Sequence, residues 1–401
     1  MRVRWAFGII LFVVFMVIQH EVKKPVSVDG GFGKTIGTHF LMNGRHFYMN
    51  GFNAYWLMYM ASDPSSRGNV TSAFQQSSGY GMTMARTWAF RDGGYKPLQI
   101  KPGVYDEIMF QGLDFMISEA KKYGIYLILC LVNNYPDLGG RKQYVKWATE
   151  QGQSLTSDDD FYTNNVVKGF YKNNVKAVLT RMNTFTGVAY KDDPTIFAWE
   201  LINEPRCESD LSGNTLQDWI AEMAAFVKSI DSNHLLEVGL EGFYGESQKQ
   251  SNPGGYQFGT DFISNNQIPE IDFATVHAYP DQWLADSSEE DRLNFLHTWS
   301  EAHIQDSIMV LKRPLLLTEF GKSSKASGYT INKRDAVFET HYDIIYSSAN
   351  SGGPYAGGLF WQLLDPGMDY MRDGFEVIIP DSPSTANIIA QQSKKISALN
   401  R

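Results

Sequence analysis

The chain has 401 residues, with 35 Lys and Arg against 44 Asp and Glu, for a formal net charge of −9. At 43% hydrophobic and 20% charged residues it has ample material for a core, which excludes disorder for the body of the chain. An acidic balance without a Lys/Arg block argues against a nucleic-acid surface, and two cysteines can build neither a disulfide framework nor a four-thiolate zinc site. Length alone suggests two or three domains, although α/β barrels run longer as one.

Arg2 and Arg4 precede an uninterrupted apolar stretch from Trp5 to Ile18, which Gln19, His20, Glu21, Lys23 and Lys24 close. Fourteen residues fall short of the ~20 needed to span a bilayer, and basic-then-apolar is the order of a secretory signal. No small-x-small cleavage pattern follows at once, so an uncleaved anchor stays open. The signal segment is placed at 1–28 and the folded body at 29–401. Asn69-Val70-Thr71 is a glycosylation sequon, which fits export. In an oxidising compartment Cys130 and Cys207 have the option of pairing.

Beyond the leader, short apolar runs alternate with helical patterns. The runs begin near Phe47, Met82, Ile125, Ile196, Leu235, Phe273, Pro314 and Gly357, and Gly, Pro, Asn or Asp close them. The intervening stretches carry a 3.6-residue period: Tyr105 to Tyr123, Asp160 to Met182, Leu216 to Ile230, Asp291 to Val310, Lys333 to Ser348 and Ser384 to Leu399. Eight strands in alternation with helices predict a single (β/α)8 barrel. The rival, a doubly wound open sheet, usually carries a Gly-rich phosphate loop, and this chain has neither GxGxxG nor GxxxxGK[ST].

A barrel places its active site at the carboxyl ends of its strands. There the runs end in Arg86-Thr87-Trp88, Asn133-Asn134-Tyr135, Asn203-Glu204-Pro205, Glu241-Gly242, His277-Ala278-Tyr279, Glu319-Phe320 and Trp361-Gln362. Each alone has an ordinary structural reading: a solvated Glu, an ion-paired Arg, a hydrogen-bonded His, a packed Trp. Their conjunction on one face of the barrel points to a shared site. Two carboxylates facing each other suit glycosidic-bond cleavage, in which one protonates the leaving oxygen and the other attacks the anomeric carbon. Arg86 and Tyr279 would favour ionised Glu319, while Glu204, near His277, stays protonated. Tryptophans offer flat faces to sugar rings. Trp56, Trp88, Trp283 and Trp361 are assigned to this face; Trp219 and Trp299 are assigned to the core.

Trp199-Glu200-Leu201-Ile202-Asn203-Glu204-Pro205 with Leu317-Thr318-Glu319-Phe320-Gly321 resembles glycoside hydrolase family 5, in the large clan of barrel glycosidases. Arg86-Thr87-Trp88-Ala89-Phe90, Asp92-Gly93-Gly94-Tyr95, Asn203 to Cys207, Phe273 to His277 and Gly358 to Gln362 are similar to plant endo-β-1,4-mannanases, from about Phe40 to the end of the chain. The resemblance implies Glu204 as acid/base, Glu319 as nucleophile and a retaining hydrolysis. It implies Asn203, Arg86, His277 and Tyr279 as the supporting shell, Trp361 as the sugar platform, and Trp88, Asn134 and Trp283 as further substrate contacts. No cofactor or metal is expected. The expected partner is β-mannan, with no nucleic acid, no membrane partner once the leader is removed, and a monomeric, secreted wall enzyme. One departure stands out: family members often carry a Trp and an acidic residue after the Asn-Asn pair, where this chain has Tyr135-Pro136.

Catalytic carboxylates do not separate mannan from β-glucan, nor hydrolysis from transglycosylation, so both remain alternatives, as does a non-catalytic carbohydrate-binding wall protein. A metal-dependent barrel hydrolase is disfavoured, because the first strand, ending near Asn53-Ala54-Tyr55-Trp56, has no His-x-His and no lysine ligand candidate follows.

Overall fold

A computed structural model of the chain describes residues 31–400; the signal segment expected over 1–28 lies outside them. Eight parallel strands form the central sheet: β1 (Met49–Asn53), β2 (Met84–Trp88), β3 (Tyr126–Cys130), β4 (Ile196–Glu200), β5 (Leu235–Glu237), β6 (Ala274–Ala278), β7 (Leu315–Phe320) and β8 (Tyr355–Phe360). Their order is β5-β4-β3-β2-β1-β8-β7-β6. Two backbone hydrogen bonds join the remaining seam, from Asp272 N to Leu236 O (2.8 Å) and from His277 N to Glu241 O (2.9 Å). The sheet is thereby rolled into the expected (β/α)8 barrel. Every residue of these strands except Tyr126 at the start of β3 is buried, as helices on the outside and side chains within require.

The amino end of the barrel is closed by a small antiparallel sheet, Lys34–Ile36, His39–Met42 and Arg45–His46. Phe40 inserts there, its ring centroid 5.3 Å from Phe197 and 5.0 Å from Phe273. One contiguous core runs from Phe40 to Ile396, so the two-or-three-domain expectation from length fails among the described residues.

The six periodic segments are helical, with two physical corrections, and Arg67–Gly79 after β1 and Gly140–Glu150 after β3 are further helices outside those segments. The helix expected over 160–182 is broken into Asp160–Thr163 and Asn165–Leu179. Asn164 between them is extended (ψ 124°), and its side chain accepts from Val166 N and Val167 N; an Asn that caps its own downstream turn ends the upstream one. The helix Glu289–Asp306 passes into a π-helical turn, Ser307–Leu311, before Lys312 reverses the chain at φ 55°. Trp56 is also corrected. It is fully buried, with Nε1 donating to Leu363 O at 2.8 Å, and belongs to the core rather than the catalytic face.

Candidate active site

The strand ends converge as their alternation demands. Arg86 sits inside β2, fully buried, and acts as the hub of the site. Its Nε and Nη2 donate to the two Glu200 oxygens at 2.5 and 2.6 Å. Nη2 also donates to Asn203 Oδ1 (2.7 Å), and Nη1 donates to Asn53 Oδ1 (3.0 Å) and to Glu319 Oε1. The planar fork of a guanidinium is what can serve five acceptor atoms on four residues at once.

Glu319, at the end of β7 and 5% exposed, receives a second donor from Tyr279 Oη at 2.7 Å. Glu204 follows β4 in a left-handed backbone conformation, φ 51°, which is costly for a non-glycine residue and turns its side chain toward the barrel mouth. Its Oε1 lies 2.6 Å from His277 Nδ1. One oxygen from each of Glu204 and Glu319 and a nitrogen of His277 all lie within 4.8 Å of one another.

The two glutamates differ in their compensation. Burial raises the pKa of both. Against this, Glu319 has two direct donors, the charged Arg86 and Tyr279, whereas the rise at Glu204 is opposed by the charge of Arg206, by Tyr135 and by the more distant Arg86, and Glu204 faces an imidazole whose protonation burial disfavours. The nearest cation to Glu204 by influence, Arg206, is already engaged by Glu241 at 2.9 and 2.7 Å. Glu319 is therefore the first of the pair to ionise, and Glu204 holds its proton longer.

Beside the carboxyls lies an aromatic floor. Trp88, Phe90 and Cys130 form a small buried cluster against which Tyr55, Leu138 and Trp361 pack. Trp361 remains half-exposed at the mouth, stacked on Tyr55 at 5.9 Å and 11° and held by Nε1 donating to Asp373 Oδ2 at 2.7 Å. Trp283 stands apart, within a second aromatic group of Phe243, Phe295 and Trp299. Asn134 uses its carbonyl to accept from Arg206 N at 3.1 Å, which anchors the loop after β4.

Three charged residues of this network were given no role from the sequence, Glu200, Glu237 and Arg206, and Glu241 was marked only as a strand end. Glu200 left a signal, a carboxylate in the apolar strand Ile196–Glu200, where only a buried cation makes it tolerable. Glu237 at the end of β5 left the same one. The cysteines are not joined: Cys130 Sγ donates to Val132 O at 3.2 Å, and Cys207 Sγ lies 3.4 Å from Ser209 Oγ. Asn69 lies in a helix, and its Nδ2, the atom a glycan would need, donates to Asp365 Oδ2 at 3.0 Å.

Glu204, His277 and Glu319 are also the set whose spacing would admit a metal ion. Their chemistry fits proton sharing better. The Glu204–His277 contact is a hydrogen bond, and both Glu319 oxygens already accept donors, which a cation would have to displace.

A family model described as GH family 5 beta-mannosidase-like matches residues 31–367. The chain is 60% identical over 395 residues to mannan endo-1,4-beta-mannosidase 4 of Solanum lycopersicum, covering 98% of this chain and 99% of that one. It is 58% identical to mannan endo-1,4-beta-mannosidase 7 of Arabidopsis thaliana, covering 98% and 91%. Among solved structures, the endo-1,4-beta-mannanase of Rhizomucor miehei superposes with a TM-score of 0.78 at 30% identity, covering 92% of this chain and 100% of that one. The endo-beta-1,4-mannanase of Thermotoga petrophila gives 0.77 at 34% identity, covering 89% and 78%. With the barrel, the paired glutamates and these relatives in agreement, the chain belongs to the GH family 5 beta-mannosidase-like family.

Proposed function

We propose that the protein cleaves β-1,4-mannosidic links within mannan chains, with Glu319 as nucleophile and Glu204 as acid/base. The observation that carries this reading is the close approach of the two carboxyls, with oxygens within 4.8 Å. Retaining glycosidases place them about 5–5.5 Å apart, whereas inverting ones leave about 6.5–9.5 Å for a water. The relatives, named as mannan endo-1,4-beta-mannosidases, supply the substrate class.

Ionised Glu319 attacks the anomeric carbon while Glu204 gives its proton to the departing oxygen, leaving a glycosyl ester on Glu319. Glu204, now a carboxylate, takes a proton from a water that attacks the ester, and the original configuration is restored. Arg86 and Tyr279 disperse the charge that returns to Glu319. Trp361 offers its face to the reacting sugar, with Trp88 beneath it and Asn203 within reach of a ring hydroxyl. Asn134 and Trp283, set back from the carboxyls, would contact sugars farther along the chain.

The enzyme acts as a monomer comprising 29–401, exported to the wall by the segment 1–28. No helix among the described residues is long and apolar enough to cross a membrane. Incubation with β-1,4-mannose and β-1,4-glucose oligosaccharides, with the anomeric configuration of the first product followed by NMR, tests the reading. Internal cleavage of the mannan series with β product is expected; preference for the glucose series or an α product would overturn it. Products longer than the starting oligosaccharide would reveal transfer to sugar rather than water.

A further inference from the structure

Below Arg86, away from the barrel mouth, lies a carboxyl that the reaction does not use. Glu237 ends β5 as the register partner of Glu200 on β4, and both side chains are fully buried. As register partners on adjacent parallel strands, the two carboxyls point to the same side of the sheet. Both Glu200 oxygens already accept N–H groups from Arg86, at 2.5 and 2.6 Å. Glu237 Oε2 is also saturated, accepting from Gly239 N at 2.5 Å and from Thr275 Oγ1 at 3.0 Å. Only Glu237 Oε1 remains, and it finds no donor among the described residues.

Side by side, two buried carboxyls can hydrogen-bond only if one holds a proton, and the unpartnered Glu237 Oε1 is the atom free to carry it. Charge counting places that proton. Around Glu237 stand Glu200 from β4, Arg86 from β2 and the neutral Thr275 from β6, while Cys130 of β3 lies against Glu200. The single guanidinium of Arg86 already faces Glu200 and Glu319. A third buried charge of the same sign would have no counter-ion, so the group neutralises instead. Burial and the adjacent Glu200 charge push the Glu237 carboxyl well above the usual carboxylate range. Glu200 itself is held below that range by Arg86, against the effect of burial.

We propose that Glu237 is a positioning residue that keeps its proton at neutral pH and donates it from Oε1 to Glu200. That donation fixes the Glu200 carboxylate, which fixes the fork of Arg86, which in turn delivers the N–H that holds Glu319 ionised. Gly239 is part of the device. Its φ is 97°, and a Cβ there would lie 1.9 Å from Ile202 O and 3.0 Å from Glu200 Oε1, so only glycine brings its N–H to Glu237. The proposal rests on Glu319 being the nucleophile.

The test compares the full-length wild type with E237Q and E237L, taking kcat/KM against pH on a β-1,4-mannose oligosaccharide and the carboxylic-acid carbonyl band in the infrared. Glutamine imitates the protonated acid: its N–H donates to Glu200, while its oxygen accepts from Gly239 and Thr275. E237Q is expected to keep kcat/KM within about threefold of wild type and to leave the acidic limb in place. It should also remove one protonated-carboxyl band present in the wild type at neutral pH. E237L, lacking the donor, is expected to lose about 100-fold in kcat with a smaller change in KM, and its acidic limb should move to higher pH. Loss of activity in E237Q comparable to E237L, or an unchanged infrared band, would overturn the proposal. If E237L does not fold, E237Q and the band decide alone. Wild-type inactivity on mannan would instead sink the functional reading, while the infrared band still reports on the proton.

Discussion

Arg86 grips Glu200 through two nitrogens, at 2.5 and 2.6 Å, with both side chains fully buried. Glu200 is therefore the anchor that aims the guanidinium, and Glu319 and Asn203 receive what remains of its fork. A lysine would preserve the charge and forfeit that geometry. R86K should lose at least about 100-fold in kcat/KM, mostly through kcat. Removing a donor from Glu319 makes its carboxylate harder to form, so the acidic limb should move to higher pH. A variant retaining both rate and limb would show that charge alone suffices.

The roles of the two glutamates separate by chemical rescue. E204A should reduce kcat by about 10²–10⁴-fold on mannan, and less on a substrate whose leaving group needs no proton. Azide should restore turnover of that activated substrate by attacking the glycosyl-Glu319 ester, giving a β-mannosyl azide. E319A should be far less active, and azide should then give the α product, because attack occurs directly on the substrate. The same azide anomer from both variants would contradict the assignment.

Trp361 tests the aromatic floor. Its ring is held by Tyr55, 5.9 Å away, and by the bond to Asp373, so the platform is fixed before substrate arrives. Aromatic stacking is worth about 0.5–1.5 kcal/mol beyond burial, and W361A should lose about tenfold or more in kcat/KM. W361F keeps a ring but not the Asp373 bond and should fall between. Equal kinetics for wild type and W361A on short mannose oligomers would remove Trp361 from the site.

The sequence made the barrel and the mouth of the site legible because both rest on local patterns. Alternation of strand and helix locates β1 to β8, and polar residues at strand ends mark the face where Arg86, Glu204, His277 and Glu319 meet. Its limits were equally physical. Glu200 and Glu237 lie one layer deeper and earn their place through contacts across three strands, which no spacing along the chain encodes. Trp56 and Trp361 both follow strands, yet one turns inward to Leu363 O and the other stays at the mouth. Asn164 interrupts a helical period that remains intact in composition. The capping atom, rather than the pattern, decides that break.

Asp92 gives the stability of the fold its own pH dependence. It is 1% exposed, and Oδ1 accepts from Gln99 Nε2 at 3.1 Å and Tyr144 Oη at 3.3 Å, while Oδ2 has no partner among the described residues. Burial pushes its pKa up to about 7, only partly opposed by those two donors. Below about pH 4 both folded and unfolded chains hold the proton, and this contribution is fully present. Between about pH 4 and 7 the unfolded chain has released it and the folded one has not, so stability falls as pH rises, by at most roughly 4 kcal/mol. Asn at this position keeps the acceptor for Gln99 and Tyr144 and cannot ionise. Calorimetric melting at pH 4.5 and pH 8 should therefore show D92N gaining on the wild type at the higher pH, with the mannan pH-rate profile unchanged. If the two midpoints instead moved in parallel between these pH values, Asp92 would have to be ionised in the fold with a counter-charge to hold it, and the cleft between Arg91 and Lys142 that it underlies would be where to seek one.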